Sequence, residues 1–218
     1  MLPVGDNPDK DEMVNFAIVR EGEEFAYAMG NSLQNYNEAM RCPDANEWTA
    51  AITEEYQNLV RHGVFEEVDT PEGVHTHDGQ LIFAKKTNSE GEIVKKKVRL
   101  VAKGYMEVFG IDYFQTYSPT LGCDTLFACL AYAATHNLEI HQLDTVVAYL
   151  NSDLQEEIYI KPPDRIPSSP RKIWLLKKAL YGLKQAGLEW YKTLHDHLKS
   201  LRYNQSGYDP CLYYTDHS

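Results

Sequence analysis

Long apolar runs are missing from this sequence. The longest, residues 126–134, is nine residues, about half of the ~20 that a helix needs to span a bilayer, so no membrane span is expected. A secretory start is also missing. Met1-Leu-Pro-Val-Gly-Asp6 has neither a basic nor an apolar segment, and Asp6, Asp9, Asp11 and Glu12 oppose a mitochondrial presequence. The expectation is therefore a cytoplasmic or nuclear protein, not a secreted one. Cysteine is scarce: Cys42, Cys123, Cys129 and Cys211 are four in 218 residues, with no Cys-x-x-Cys pair. That argues against a disulfide framework or a thiolate zinc site and for reduced thiols. Two histidine pairs exist, His75-x-His77 and His195-x-His197. On a helix, side chains two apart lie on different faces, so both pairs are disfavoured as metal sites. No internal repeat is visible.

What remains is a globular composition, 43% apolar and 24% charged, enough for one domain or two small ones. The net charge of −11 is uneven. Residues 1–78 carry 17 acidic and 4 basic side chains, whereas residues 79–218 carry 15 and 17. Acidity is thus an N-terminal property, and the whole chain is no general attractor of nucleic acid. Locally, Lys95-Lys-Lys-Val-Arg-Leu-Val-Ala-Lys103 places five cations in nine residues, enough to draw polyphosphate.

Residues 1–35 read as an acidic mobile arm with one short strand near 13–20. Asp44-Ala-Asn-Glu47 has the form of a capping box ahead of Trp48, Ile52, Tyr56 and Leu59 at helical spacing, and Gly63 ends that helix. Residues 64–68 read as a strand and 70–80 as a loop. Residues 81–87 and 93–105 form a hairpin around Gly91, with Lys95, Lys97, Arg99, Val101 and Lys103 on one face and Lys96, Val98, Leu100 and Ala102 on the other. The cationic face suits either a solvated edge or phosphate binding. Asp124 caps a helix that ends near Asn137, and 138–144 alternates like a partly buried strand that delivers Asp144 at its end. Short strands follow at 157–162, 173–177 and 211–215, with a helix over 188–201.

A carboxylate at a strand end, with Tyr149 five residues on, suits either Mg²⁺ at an open cleft or a turn cap. The surrounding motifs bear on that choice. Glu47-Trp48 with Ala51 and Glu54-Glu55, Arg99-Leu-Val-Ala-Lys-Gly-Tyr105, Gly110-Ile-Asp-Tyr113, Tyr117-Ser-Pro119, His141-Gln-Leu-Asp144, Ala148-Tyr-Leu150, Leu180-Tyr-Gly-Leu-Lys-Gln-Ala186 and Trp190-Tyr191 occur in that order. Together they make the chain, from about Tyr36 to Leu212, resemble the reverse transcriptases of copia-type LTR retrotransposons, RNA-directed DNA polymerases carried in Pol polyproteins.

The resemblance implies an α+β fingers-and-palm fragment, an antiparallel sheet packed on helices. Residues 36–125 would be a fingers-like region with the cationic hairpin 81–105, and 126–218 an incomplete palm. It further implies that Asp144 is a catalytic, Mg²⁺-binding aspartate in two-metal nucleotidyl transfer. Lys85 or Lys86 and Arg99 would grip a deoxynucleoside triphosphate, and Tyr149 would exclude a 2′-OH or serve as a core aromatic. Gly182, Lys184 and Gln185 would lie against the template-primer or form a tight turn. Partners implied are RNA or DNA template-primer, deoxynucleotides and other parts of the polyprotein, with no membrane.

There are departures from the family pattern. Gly187 stands where the family has Pro after Gln-Ala, and Lys161-Pro-Pro-Asp-Arg-Ile166 strays from Gln-Pro-x-Gly-Phe. The family's other two catalytic aspartates form a Tyr-x-Asp-Asp hairpin beyond the Leu212 position, and Tyr214-Thr-Asp-His217 comes too early to be it. The expectation is a truncated, inactive fragment with weak Mg²⁺ binding. The alternatives are a non-catalytic nucleic-acid-binding module or a protein-interaction module using the acidic arm.

Overall fold

The computed structural model describes residues 16–18, 32–33, 36–163 and 166–215. In chain order the strands are β1 (Phe16–Ile18), β2 (Ser32–Leu33), β3 (Phe65–Asp69), β4 (Thr76–Thr87), β5 (Ile93–Ala102), β6 (Tyr159–Lys161), β7 (Lys172–Leu176), β8 (Asn204–Gln205) and β9 (Leu212–Tyr214). The helices are α1 (Tyr36–Arg41), α2 (Ala45–Arg61), α3 (Cys123–Thr135) and α4 (Ala186–Ser200), with 3₁₀ turns at Gly104–Met106 and Ala148–Asn151. Apart from β1 and β2, the arm expected over residues 1–35 lies outside the described residues.

The chain divides into two units. The larger, residues 22–118 and 145–193, holds a six-stranded sheet in the order β2-β4-β6-β7-β3, with β5 on β4. Most pairings are antiparallel as expected, but β4 and β6 run parallel, Thr76 facing Tyr159. The core of this unit is built on Trp48, Leu59, Phe83, Leu100, Ile158, Ile160, Trp174 and Leu180, all fully buried or nearly so. Trp48 meets Phe83 edge to face with ring centroids 5.6 Å apart, and Phe65 stacks on Trp174 at 3.8 Å.

Helix α2 begins where its sequence predicts, and its buried Trp48, Ala51, Ile52, Glu55 and Leu59 form one face. The expected capping box does not form: Asp44 makes no side-chain cap hydrogen bond. Its carboxylate pairs instead with Lys96, which also contacts Glu47 at 2.8 Å. Cap residues and ion-pair partners are the same residue types, and here a cation 52 positions away won (96 − 44). That hydrogen bond from Lys96 pulls the Asp44 carboxyl below its ordinary range. Partial desolvation opposes the Lys96 charge, but Asp44 and Glu47 outweigh it and raise its pKa.

The β4–β5 hairpin forms as predicted, with Gly91 at φ +85° in its loop. β4 starts at Thr76, so the expected 70–80 loop is shorter than its Gly, Pro and His content suggested. Val98, Leu100 and Ala102 are buried along one side of β5. β5 pairs with β4 alone, and its open edge is closed by other means. The Leu100 N–H donates to Glu55 Oε1 at 2.9 Å, and the Ala102 N–H donates to the Tyr181 carbonyl at 2.8 Å.

The smaller unit comprises residues 1–21, 119–144 and 194–218. Its described part holds the antiparallel sheet β1-β9-β8, with Cys211 and Tyr213 fully buried. The Tyr213 hydroxyl lies 2.9 Å from His195 Nδ1. β1 falls inside the strand predicted at 13–20, and β9 inside that at 211–215. Asp209 holds the start of α3 by accepting the Gly122 N–H at 3.0 Å. Helix α3 is apolar yet buries only Ala133. The strand expected over 138–144 is absent: those residues take irregular backbone with no ladder partner among the described residues. Alternation there is not burial, since Leu143 is 94% exposed and Ile140 62%.

Candidate functional site

Alternation along the hairpin decides which cations can act together. Arg99 pairs with Ile82, Lys95 with Lys86 and Lys96 with Lys85. Lys86 therefore shares the face of Arg99, while Lys85 shares that of Phe83 and Val98. Most of the ribbon's cations are answered by carboxylates. Lys95 reaches Glu54 at 3.0 Å, Lys103 reaches Asp78 at 3.3 Å, and Lys96 is paired as described above. That lowers the local positive potential which the sequence alone suggested.

Arg99 sits among groups drawn from three distant segments. Its guanidinium carbon lies 4.9 Å from the centroid of the Tyr181 ring, and the Tyr181 ring lies 5.0 Å from that of Tyr149. Arg99 Nη1 is 3.6 Å from Glu55 Oε2. Glu55 is only 2% exposed, and desolvation raises its pKa despite the Leu100 N–H and the nearby Arg99. Arg99 remains 19% exposed, so its fork can still meet an anion from solvent. Tyr149 is half-buried in the 148–151 turn, behind Val147, a β-branched residue held at φ +50°.

The segment carrying Tyr181 is pressed against the end of β5. Gly182 has φ +90°, and a Cβ there would lie 2.2 Å from the Ala102 carbonyl oxygen. A Cβ on Gly104 would lie 2.0 Å from the Gly182 carbonyl oxygen. Only two glycines permit this approach.

Lys184 and Gln185 both turn toward residues 107–113. The Lys184 N–H donates to Glu107 Oε2 at 2.8 Å, and its ammonium donates to the Glu107 carbonyl at 3.0 Å while lying 4.6 Å from the Tyr113 ring centroid. Gln185 is fully buried and donates through Nε2 to the Asp112 carbonyl at 3.1 Å. Burial raises the pKa of Glu107, with the Lys184 N–H opposing. Asp144 is exposed, in the irregular stretch of the smaller unit.

Sequence reasoning missed Tyr181, Glu55 and Glu107 as members of this group. Tyr181 stood inside the Leu180–Ala186 motif, and its contacts with Arg99 and Tyr149 were the missing signal. Glu55 stood inside the Glu54-Glu55 motif, but its burial, like that of Glu107, had no local signal in the sequence.

Residues 62–217 match the family model described as reverse transcriptase (RNA-dependent DNA polymerase). The chain is 33% identical over 183 residues to the Retrovirus-related Pol polyprotein from transposon TNT 1-94 of Nicotiana tabacum, covering 83% of this chain and 14% of that protein. It is 33% identical over 193 residues to the Retrovirus-related Pol polyprotein from transposon RE1 of Arabidopsis thaliana, covering 86% and 13%. It is 40% identical over 107 residues to the Transposon Ty1-ER2 Gag-Pol polyprotein of Saccharomyces cerevisiae, covering 47% and 6%. The chain thus spans a small part of each curated relative it matches. No solved structure matches it.

Proposed function

The chain belongs to the reverse transcriptase (RNA-dependent DNA polymerase) family, and we propose that it is part of a retrotransposon Pol polyprotein that holds an incoming deoxynucleoside triphosphate beside a template-primer. The observation that carries this reading is the Arg99–Tyr181–Tyr149 group. In it, the Arg99 fork meets the triphosphate, with Lys86 adding charge on the same face of the ribbon. Tyr149 packs under the sugar and disfavours a 2′-OH. Gly182 and Gly104 keep Tyr181 beside Arg99 by letting two backbones touch. Lys184 and Gln185 act on the template side through the 107–113 segment that they hold, rather than through direct contact. The β4–β5 hairpin serves as fingers, and residues 126–218 contribute to the palm.

The chemistry that Mg²⁺ would supply to such a site is charge stabilisation at the primer hydroxyl and at the leaving pyrophosphate. Asp144 is the family-matched carboxylate for it. Among the described residues, Asp144 belongs to no group of three metal-ligating side chains. One exposed carboxylate cannot offset the repulsion of two divalent ions, so the donor set does not fit a two-metal centre by itself. The described residues thus bind nucleotide without transferring it, and further carboxylates are required for chemistry. No described helix is long and apolar enough to cross a membrane.

The test is a titration of the chain with dTTP and with UTP, followed by tryptophan fluorescence, alongside a primer-extension assay. Arg99→Ala is expected to weaken dTTP binding about tenfold or more, and Tyr149→Ala to erase any preference for dTTP over UTP. Undiminished dTTP binding by Arg99→Ala, or primer extension by the chain alone, overturns the reading.

A further inference from the structure

Outside the nucleotide group lies a cluster of three potential ligands, the one such group among the described residues. We propose that His75, His77 and Asp112 form a binding site for a zinc-type divalent cation. The helical argument against His75-x-His77 fails here because His77 lies in strand β4 and His75 immediately precedes it. Extended backbone returns alternate side chains to one face, and the two imidazole rings sit 4.5 Å apart. Asp112 completes the set from the 107–113 loop. Its Oδ2 is 3.0 Å from His75 Nδ1, its Oδ1 is 3.3 Å from His77 Nε2, and the three ligand atoms lie within 4.8 Å of one another. Tetrahedral zinc, with bonds of about 2.0–2.2 Å, needs donor atoms roughly 3.3 Å apart.

A second observation is independent of that spacing. His77 is 1% exposed; among the described residues its Nδ1 has no hydrogen-bond partner, and its Nε2 makes only the 3.3 Å ion-pair contact with Asp112 Oδ1. A buried imidazole nitrogen without a well-formed hydrogen bond is costly, and a cation at Nε2 removes that cost at Nε2. Asp112 is already oriented. Its Oδ2 accepts the Val108 N–H at 2.8 Å, and its carbonyl accepts from Gln185. His75 is 39% exposed and leaves a path for the ion and a fourth, water ligand. Two imidazoles and one carboxylate suit zinc, whereas magnesium prefers oxygen donors throughout. The bound ion pins the 107–113 segment to β4, and through Glu107 and Asp112 it fixes Lys184 and Gln185.

The full chain, stripped with chelator, is dialysed against zinc chloride and its metal content measured. Cobalt chloride in place of zinc reports ligand type and geometry by visible absorption. The expected result is one zinc per chain, a tetrahedral cobalt spectrum without thiolate charge transfer, and a rise in melting temperature with zinc. His75→Gln, at a half-exposed position, is expected to keep the circular dichroism spectrum and weaken zinc binding at least about tenfold. Asp112→Asn is expected to do the same where it folds. A folded wild-type chain without stoichiometric zinc, wild-type affinity in His75→Gln, a thiolate cobalt band, or magnesium bound as tightly as zinc each overturns the proposal.

Discussion

Gly104 and Gly182 meet backbone to backbone, so close that a methyl group on Gly104 would sit 2.0 Å from the Gly182 carbonyl oxygen. No side-chain rotation relieves a clash with a carbonyl. Gly104→Ala is expected to cost about 2–3 kcal/mol or more, and Gly182→Ala more still, because its φ of +90° adds backbone strain. Gly73→Ala is the contrasting control, since a Cβ there meets nothing within 4 Å and only its positive φ opposes it. Urea unfolding of the three variants checks the ranking.

Trp48 anchors α2 on the sheet with no exposed surface. Trp48→Ala is expected to lower stability by about 3–5 kcal/mol. Trp48→Phe keeps a ring against Phe83 and is expected to lose less. Chemical denaturation followed by circular dichroism distinguishes them.

Glu55 gives stability a pH dependence. Its pKa is raised by burial, so the folded chain holds that proton more tightly than the unfolded chain does. The resulting stability is full below the ordinary glutamate range and is lost as pH rises through the folded value. Glu55→Gln does not titrate. As pH rises above the ordinary glutamate range of about 4.3, the wild type is expected to lose stability relative to Glu55→Gln. Parallel urea titrations at several pH values measure the difference, and a gap that moves the other way contradicts the assignment.

Helix α3 is apolar and largely uncovered, with Phe127 66% exposed and Leu130 41%. The chain is expected to self-associate as concentration rises, seen by light scattering. Phe127→Glu with Leu130→Glu is expected to reduce the association without lowering the melting temperature, since neither side chain is buried.

The hairpin, α2 and α4 were legible in the sequence because each carries its own signal: a turn glycine between alternating runs, or apolar residues at helical spacing. Residues 138–144 misled for the same reason. Alternation reports a capacity to pair, and a strand needs a neighbour that no local pattern reveals. Among candidate site residues, Arg99 and Tyr149 were named through the family resemblance, and both lie close to the Tyr181 ring. The Glu55 contact was not, because it depends on which helix covers the open edge of β5. The inward turn of Lys184 and Gln185 was equally hidden, since nothing in Leu-Lys-Gln-Ala says which partner lies above it. The histidine pair was judged with a helical period, whereas His77 lies in strand β4 and His75 just before it, where alternate side chains share a face.

The parallel pairing of Thr76 with Tyr159 joins positions 83 apart (159 − 76). Closing so long a loop is entropically unfavourable before any contact rewards it, whereas the β4–β5 ribbon closes over a few residues. During synthesis the ribbon can zip up early, while residues 76–78 of β4 must wait for β6 to leave the ribosome. That interval is when the nascent chain is most exposed to mispairing, and a chaperone able to shield a bare strand edge would raise its yield most if it acted then.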